Sequence, residues 1–377
     1  MRSRRDLEAE LIDWTMESSW EVDDARFERL ALELFEIQYA ECAPYAALCN
    51  SKGASPGRVS RFQEIPPVPT GAFKEFPLRC FSETETIHRF RTSGTSTDRR
   101  GVLELDTLAP YEASLIASLR RLWLTDLVGR QPPMRFLAAS PDEAQDSSLS
   151  HMFGALAAAE GGPGSGFDLV DGALQQGALG EAVTRAQAGN APLCIAGTSF
   201  AFVHFLDATA GDDAARWRLP EGSRLMETGG FKGKSREVPR EVLRADLASR
   251  FGLPESRVVN QYGMTELGSQ FYDSTLIDES GERRKIAPPW TRVRFVAPST
   301  GEDVEPGEAG LIVIHDLANT GSVAALQTAD LGRLIPGGPP GFDVLGRSEG
   351  AEARGCSIAA DVMLEASRLQ APSGSTS

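Results

Sequence analysis

Cysteine, histidine and lysine are scarce in this chain of 377 residues. The five cysteines form no C-x-x-C pair and the four histidines form no H-x-x-x-H pair, so the spacing typical of zinc sites is missing. An odd, scattered set of cysteines favours free thiols in a reducing compartment, and we therefore expect a cytoplasmic protein. Only five of the 38 basic residues are lysines, and none of these follows Lys285.

Long apolar runs and an excess of positive charge are missing as well. The longest apolar stretch, at residues 194–206, is too short and too polar to span a bilayer. The basic N-terminal residues run directly into acidic ones, without the apolar core of a signal peptide. With 38 basic and 53 acidic residues the formal net charge is −15, which disfavours binding to a phosphate backbone or an anionic membrane. We expect no nucleic-acid partner and no membrane span.

Of two common nucleotide-binding loops, the sequence lacks the first and contains only a superficial match to the second. The chain contains no G-x-x-x-x-G-K-[ST] phosphate loop. The glycine-rich segment at 161–166 follows no clear strand, which favours a turn over a dinucleotide loop. The proline-rich stretch at 64–78 cannot be helical throughout, and we expect it to cross the surface in an extended form.

What the sequence does contain is a regular alternation of patterns. Short apolar runs at 134–140, 192–199, 223–230 and 257–263 alternate with helical patterns near 147–159, 199–208 and 238–251. This alternation predicts an α/β fold with mostly parallel sheets. Residues 290–317 instead predict a strand, a turn-rich insert and a second strand, which indicates a smaller antiparallel β unit. Near the N-terminus, residues 25–41 place four apolar side chains on one helical face, namely Phe27, Leu30, Leu34 and Ile37.

Four polar segments contain the groups that a nucleotide site needs. Residues 91–101 crowd hydroxyls, glycine amides and arginines into one loop, which can supply donors to a polyphosphate. Residues 261–266 combine an aromatic ring, a glycine, a hydroxyl and a carboxylate that could bind Mg²⁺. Asp330 stands in a predicted turn that could hold ribose hydroxyls, and residues 345–350 contain a Gly-Arg pair. Taken singly, the segment at 91–101 is more typical of a solvated turn, and the segment around Asp330 is more typical of an Asx-turn. The segment at 261–266 also fits a strand end with an incidental acidic residue.

In this order and spacing, the four segments resemble the adenylate-forming superfamily of acyl-CoA synthetases, luciferases and adenylation domains. Further stretches, at 138–156, 226–243, 288–298, 315–332 and 345–359, look like the acyl-protein synthetase family of the LuxE type. The resemblance runs from about residue 25 to residue 366. It implies an adenylate-forming (AMP-binding) domain over residues 1–345, followed by a short remnant and disordered tail at 346–377. Superfamily members carry a catalytic lysine in a C-terminal domain, which we expect to be largely absent here.

The resemblance also implies roles for individual residues. Around ATP the implied set is Thr92, Ser93, Gly94, Thr95 and Ser96 at the phosphates, Gly229 and Gly230 along adenine, Tyr262 and Gly263 at the base, Thr265 at the α-phosphate, Asp330 at the ribose and Arg347 at ribose or phosphate. Glu266 would bind Mg²⁺. His151 would lie beside the acyl channel, although a histidine buried in the core is an equal alternative. The phosphate loop departs from the family pattern at residues 97–100, where the usual Gly-Lys-Pro-Lys continuation is missing. An arginine there, or Lys232 or Lys234, would have to supply the positive charge of those lysines.

The final implied residue is an acyl-accepting thiol, Cys356. A thiolate is a good acyl acceptor and the nearby Arg354 favours that form, although a buried structural cysteine is the alternative. The resemblance thus implies ATP- and Mg²⁺-dependent activation of a carboxylic, fatty acid to an acyl-adenylate, followed by transfer to Cys356. Two other functions stay open: an acyl-CoA or acyl-carrier ligase, and a non-catalytic subunit. An acyl-reductase or a carrier protein is the implied partner.

Overall fold

The computed structural model describes residues 2–93, 99–229, 238–337 and 339–348. The α-helices are α1 (Arg4–Met16), α2 (Asp24–Glu41), α3 (Ala43–Ser51), α4 (Ala109–Leu119), α5 (Ser148–Glu160), α6 (Gln176–Gly189), α7 (Ser199–Ala208) and α8 (Arg240–Phe251). The strands are β1 (Val68–Pro69), β2 (His88–Arg91), β3 (Val102–Leu105), β4 (Met134–Leu137), β5 (Gly166–Phe167), β6 (Leu169–Val170), β7 (Ala173–Leu174), β8 (Cys194–Thr198), β9 (Arg224–Thr228), β10 (Val258–Tyr262), β11 (Phe271–Asp273), β12 (Lys285–Ile286), β13 (Thr291–Val296), β14 (Gly310–Asp316), β15 (Ala325–Ile335) and β16 (Gly341–Arg347).

The chain divides into two compact units, and each unit is built from separate stretches of sequence. Unit 1 takes the described residues up to 114, residues 264–269 and the described residues from 287 onward. Unit 2 takes residues 115–263, as far as they are described, and residues 270–286. The predicted domain boundary at residue 345 stays a prediction, because almost all of the chain beyond it lies outside the described residues.

Unit 2 contains the predicted parallel sheet. Its strands lie in the order β5-β4-β8-β9-β10, all parallel, and β11 and β12 then add two antiparallel strands. Each of the four apolar runs therefore forms one parallel strand, and the three helical patterns correspond to α5, α7 and α8. Consecutive parallel strands require a crossover, which these helices supply. The segment at 161–166 ends α5 and leads directly into β5, so the predicted turn is confirmed.

The core of unit 2 lies between its sheet and the helices α6, α7 and α8. The ring of Phe205 stacks on Phe251, with centroids 5.2 Å apart, and meets Trp217 edge-on at 4.8 Å. All three rings are fully buried. The indole nitrogen of Trp217 donates to Asp212 Oδ2 at 2.9 Å, so this tryptophan is buried without losing its hydrogen bond.

Unit 1 contains the predicted antiparallel sheet. Strands β13, β14, β15 and β16 pair in that order, and β1 pairs in parallel with the start of β15. Strands β2 and β3 form a separate hairpin. Helix α2 spans the predicted stretch, and all four side chains of its predicted apolar face are buried. Its N-cap is Asp23, whose carboxylate accepts from the Arg26 amide at 2.9 Å.

The expectation that the proline-rich stretch crosses the surface is wrong. Val68 of β1 pairs with Leu326, and Phe73 is buried in a short 3₁₀ helix at Thr70–Lys74. The carbonyl of Pro66 accepts a hydrogen bond from the Tyr45 hydroxyl at 3.0 Å. Proline is tolerated in a short strand at a sheet edge, so the apolar residues between the prolines can be buried.

The aromatic cluster of unit 2 gives a direct test of this packing. Replacing Phe205 with alanine should lower the free energy of unfolding by about 3–5 kcal/mol, because the cavity left between Trp217 and Phe251 cannot close fully. Urea unfolding measures the change. The control is Val242→Ala on α8, where the side chain is 47% exposed and the expected change is below ~0.5 kcal/mol. Equal urea midpoints for wild type and the Phe205 variant would contradict the described packing.

Candidate functional site

Gly229 follows β9 at the carboxyl edge of the parallel sheet in unit 2. Its φ of +77° favours glycine, and among the described residues no atom lies within 4 Å of a Cβ atom built there. Gly229 is exposed. Its carbonyl accepts a hydrogen bond from the Ser199 hydroxyl at 3.2 Å. Gly230, the second residue of the predicted adenine pocket, lies outside the described residues.

Tyr262 is the last residue of β10, at the same edge of the sheet. Its half-buried ring lies with its centroid 6.2 Å from that of Phe271, at an angle of 43°. Gly263 follows, and a Cβ atom at this position would lie 2.5 Å from Gln261 Nε2. A larger residue at position 263 would therefore have to displace the end of the Gln261 side chain. The carboxyl edge of parallel strands is also where open α/β sheets bind ligands.

Thr265 and Glu266 belong to the short stretch of unit 1 at residues 264–269. The Glu266 side chain is 8% exposed, and Thr265 is half-buried. The Glu266 carbonyl accepts from Asn319 Nδ2 at 2.8 Å. A Cβ atom at Gly268 would come within 2.8 Å of Ala318, so the stretch lies directly against the loop that follows β14. The backbone that carries the predicted Mg²⁺ ligand is therefore held by this loop.

Asp316, the last residue of β14, fixes the other end of this stretch. Its fully buried carboxylate accepts from the amide and the hydroxyl of Ser269, each at 2.7 Å, and from the Ala318 amide at 3.0 Å. The Ser269 hydroxyl also lies 2.9 Å from that of Ser114. Burial raises the pKa of Asp316 to about 6, although the Ser269 hydroxyl and the backbone amides oppose the shift.

Asp330 and Arg347 are predicted nucleotide residues that the structure brings together in unit 1. They are register partners on β15 and β16, with Arg347 Nε 3.9 Å from Asp330 Oδ1. The prediction that Asp330 stands in a turn is wrong, because the ladder with β16 continues through this residue and shifts register only after Leu331. The Asp330 amide still donates to Thr328 Oγ1 at 3.1 Å.

The predicted phosphate loop joins β2 and β3 in unit 1. Thr92 begins this loop, and its amide donates to the Gly101 carbonyl at 2.9 Å, while the Gly101 amide donates to Thr92 Oγ1 at 2.9 Å. Ser93 is the last described residue on this side. The three other predicted residues, Gly94, Thr95 and Ser96, lie outside the described residues.

The arginines at the end of this loop contact their own unit. Arg100 donates to the carbonyl of Thr92 at 2.6 Å and to that of Arg91 at 3.2 Å, and Arg99 lies 3.1 Å from Glu75. Arg100 therefore stabilises the base of the loop. Lys232 and Lys234, the other possible source of positive charge, lie outside the described residues.

His151 lies in unit 2 on α5, the helix that follows β4. It is half-buried, while its neighbours Met152 and Phe153 are fully buried. The choice between a role beside the acyl group and a role in packing stays open. Cys356, the predicted acyl acceptor, lies outside the described residues.

Sequence reasoning missed a set of polar residues on β9 to β12 in unit 2, of which three are buried and Asn260 is half-buried. These are Glu227, Asn260, Asp273 and Lys285, joined by direct hydrogen bonds. It also missed Asn319 and Asp316 in unit 1. A signal was present in the first case, because Glu227 and Asn260 interrupt apolar runs that predict buried strands.

Comparison with known proteins adds independent findings. The chain matches the family described as acyl-protein synthetase, LuxE, over residues 176–366, just over half of its length. It is 22% identical to the long-chain-fatty-acid–luciferin-component ligase of Aliivibrio fischeri, covering 85% of this chain and 81% of that protein. The protein of the same name from Vibrio harveyi is 21% identical, with 88% and 86% covered.

A solved structure supports the fold class. 2-Hydroxyisobutyryl-CoA ligase, in an open conformation with 2-HIB-AMP and CoA, is similar at a TM-score of 0.60 and 16% identity, covering 88% of this chain and 76% of that one. This similarity confirms the predicted α/β fold of adenylate-forming enzymes. Within the part of the chain that the structure describes, we find no helix with the length and apolar character needed to cross a bilayer.

The buried Asp316 carboxyl predicts a pH dependence of stability. Its pKa is about 6 in the folded chain and near 3.8 when exposed, so the folded state binds the proton more tightly. The resulting stabilisation is fully present below about pH 3.8 and is lost as the pH rises through 6. It amounts to roughly 3 kcal/mol.

The measurement compares wild type with Asp316→Asn by urea unfolding at pH 5 and pH 7. The amide does not titrate, so the stability lost by the variant should be larger at pH 5 than at pH 7. Asp343→Asn in β16, where the carboxylate is half-exposed, is the control and should show no such difference. A pH-independent difference between wild type and the Asp316 variant would contradict the raised pKa.

Proposed function

The chain belongs to the acyl-protein synthetase family, LuxE, and on this basis we propose that it is a ligase that uses ATP to activate a fatty acid and then transfers the acyl group to a protein thiol. Its relatives from Aliivibrio fischeri and Vibrio harveyi are named long-chain-fatty-acid–luciferin-component ligases. The observation that carries the proposal is the position of Tyr262-Gly263-Met264-Thr265-Glu266, which begins with the last residue of the parallel strand β10. We propose residues 1–345 as the adenylate-forming domain.

The described residues fit ATP and Mg²⁺ in two respects. Gly229 is exposed, and no atom of the described residues lies within 4 Å of a Cβ atom built there, which leaves room for a base beside its backbone. Mg²⁺ is usually held by one or two carboxylates together with waters and substrate phosphates. A single carboxylate at Glu266 fits that pattern, and among the described residues no cluster of three or more histidines, cysteines or acidic residues forms an alternative site. Mg²⁺ bound there would neutralise charge on the phosphates.

In the first step a carboxylate oxygen of the acid attacks the α-phosphorus of ATP. The bond from this phosphorus to the bridging oxygen breaks, pyrophosphate leaves, and an acyl-adenylate forms. The Thr265 hydroxyl and the amides of the loop at 92–96 would donate to the phosphates, where negative charge develops. Asp330 would accept hydrogen bonds from the ribose hydroxyls, with Arg347 beside it as a counter-charge.

In the second step the Cys356 thiolate attacks the acyl carbonyl carbon, a thioester forms and AMP leaves. The other four cysteines, Cys42, Cys49, Cys80 and Cys194, are all buried free thiols. Burial raises the pKa of both Cys49 and Cys194 to about 12, so these two stay protonated at neutral pH. A hydrogen bond with Cys80 lowers the pKa of Cys42, but this thiol is only 1% exposed. Burial of the other thiols thus supports Cys356 as the acceptor.

The acyl thioester is an activated group, and a partner enzyme must consume it. We propose an acyl-reductase or a carrier protein for this role, and a reducing compartment such as the cytoplasm for the protein itself, since its described cysteines are free thiols.

Replacing Glu266 with glutamine tests the first step. The side chain keeps its size, so the fold should survive, but the loss of the Mg²⁺ ligand should reduce acid-dependent pyrophosphate exchange by about 10²-fold or more. Exchange of labelled pyrophosphate into ATP, with a panel of fatty acids, measures this loss. The control is Glu160→Gln, a carboxylate of unit 2 that is equally buried and pairs with Arg120. Wild-type exchange in the Glu266 variant would refute the metal role.

Replacing Cys356 with serine separates the two steps. With ATP, Mg²⁺ and the acid, wild type should gain one acyl mass that hydroxylamine removes. Cys356→Ser should keep pyrophosphate exchange and lose the thioester, while the control Cys42→Ala should keep both. Intact-mass spectrometry decides between the outcomes. If the Cys356 variant still forms the full amount of thioester, another cysteine is the acceptor. If product forms only when coenzyme A or a carrier protein is added, the protein is an acyl-CoA or acyl-carrier ligase instead.

A further inference from the structure

The polar residues Glu227, Asn260, Asp273 and Lys285 on β9 to β12 form one connected network in unit 2, in which Asn260 is half-buried and the other three are buried. Lys285 Nζ donates to Asp273 Oδ1 at 2.7 Å, to the Asn260 carbonyl at 2.8 Å and to the Asn260 side-chain oxygen. Asp273 also accepts hydrogen bonds from the backbone amide of Asn260 at 2.8 Å and from the Arg283 side chain at 2.5 Å. Lys285 is 5% exposed and Asp273 is 2% exposed. This pair therefore binds both the backbone and the side chain of Asn260.

The network continues from Asn260 into β9. Asn260 is the register partner of Glu227, and its side-chain nitrogen donates to the Glu227 carboxylate. The second carboxylate oxygen of Glu227 accepts from the Ser199 hydroxyl, which also lies 3.2 Å from the Gly229 carbonyl. The side-chain amide of Asn260 is thus held on both sides. Its oxygen accepts from the Lys285 ammonium group, and its nitrogen donates to the Glu227 carboxylate.

A second link joins the same two strands one residue further on. The Thr228 hydroxyl donates to the Gln261 side-chain oxygen, and the two residues are register partners. Because strand side chains alternate between faces, this link lies on the opposite face from the pair Glu227 and Asn260. The strand ends are therefore tied together directly before Gly229 and Tyr262.

Stability alone does not account for this network. Buried ion pairs are often no more stabilising than well-packed apolar residues of similar size. Burial lowers the pKa of Lys285, although Asp273 opposes the shift. Burial also opposes ionisation of Asp273, but Lys285 and Arg283 outweigh it, and the pKa of Asp273 is lowered. The pair lies beside the sheet edge that carries the predicted nucleotide residues Gly229 and Tyr262.

We propose that Lys285 and Asp273 are positioning residues, which hold Asn260 and thereby set the spacing of Gly229 and Tyr262 for the adenine base. This inference rests on the proposed function, since it concerns the nucleotide half of that site. Lys285 contacts neither the acid nor the phosphates in this role. Its loss should weaken ATP binding and leave the affinity for the acid unchanged.

The test separates positioning from charge balance with two variants. Lys285→Met alone leaves buried carboxylates without their ammonium partner, so it should lower the melting temperature and weaken ATP. The double variant Asp273→Asn/Lys285→Met removes both charges of the pair. The asparagine side chain keeps an oxygen that can accept from the backbone amide of Asn260. The double variant should recover most of the melting temperature, yet bind ATP about tenfold more weakly than wild type, since a hydrogen bond to a charged group is lost. Isothermal titration with ATP and Mg²⁺ measures the affinity, and pyrophosphate exchange gives KM for ATP and for the acid.

Arg135 and Asp168 supply a matched control pair in the same unit. They form an ion pair that is also buried, between β4 and the residue after β5. Arg135→Met/Asp168→Asn should change the melting temperature and leave the ATP affinity at the wild-type value. Equal weakening of ATP by this control would assign the effect to a general loss of structure and overturn the inference.

The remaining outcomes distinguish the inference from the proposed function. Wild-type ATP affinity in the double Asp273 and Lys285 variant, with exchange intact, overturns the positioning role alone. If wild type binds ATP but exchanges no pyrophosphate with any acid, the proposed activity is contradicted. The ATP affinities of wild type and of the double variant still decide the positioning role in that case. Wild type that binds no ATP overturns both.

Discussion

Buried polar groups at the ends of parallel strands must find partners, and in unit 2 this requirement organises the edge where β9 and β10 end. Glu227 and Asn260 lie side by side on these strands, where apolar residues would pack without further support. The antiparallel strands β11 and β12 supply the missing partners through Asp273 and Lys285. Two short strands thus do more than widen the sheet, because they carry the charges that make a polar edge stable.

Unit 1 solves a similar problem without a cation. The stretch at 264–269 is held by Asn319, which binds the Glu266 carbonyl, and by Asp316, which binds Ser269. Burial raises the pKa of Asp316, and its neutral donors only partly oppose the shift, whereas beside Lys285 and Arg283 the pKa of Asp273 falls despite burial. Asp316 and Asn319 thus hold the backbone of the stretch that carries Thr265 and Glu266, two residues of the proposed chemistry.

The proposed acyl transfer also requires something of the cysteines. Acyl transfer needs an accessible thiolate, while the four described cysteines are buried and two of them have a pKa of about 12. Those thiols therefore serve as small apolar groups in the core. A chain with one reactive cysteine among several inert ones can carry an acyl group at a single position.

The sequence by itself determined the local elements, because the spacing of apolar residues is a local property. It placed β4, β8, β9 and β10, and it placed α7 at residues 199–208. It also singled out Tyr262, Glu266 and Asp330 by their chemistry. Only the tertiary structure decided that Asp330 lies within a strand opposite Arg347, that the apolar residues of the proline-rich stretch are buried, and that Lys285 supports Asn260. Each of these depends on residues that meet across strands, and contacts between distant segments leave no periodic pattern in the sequence.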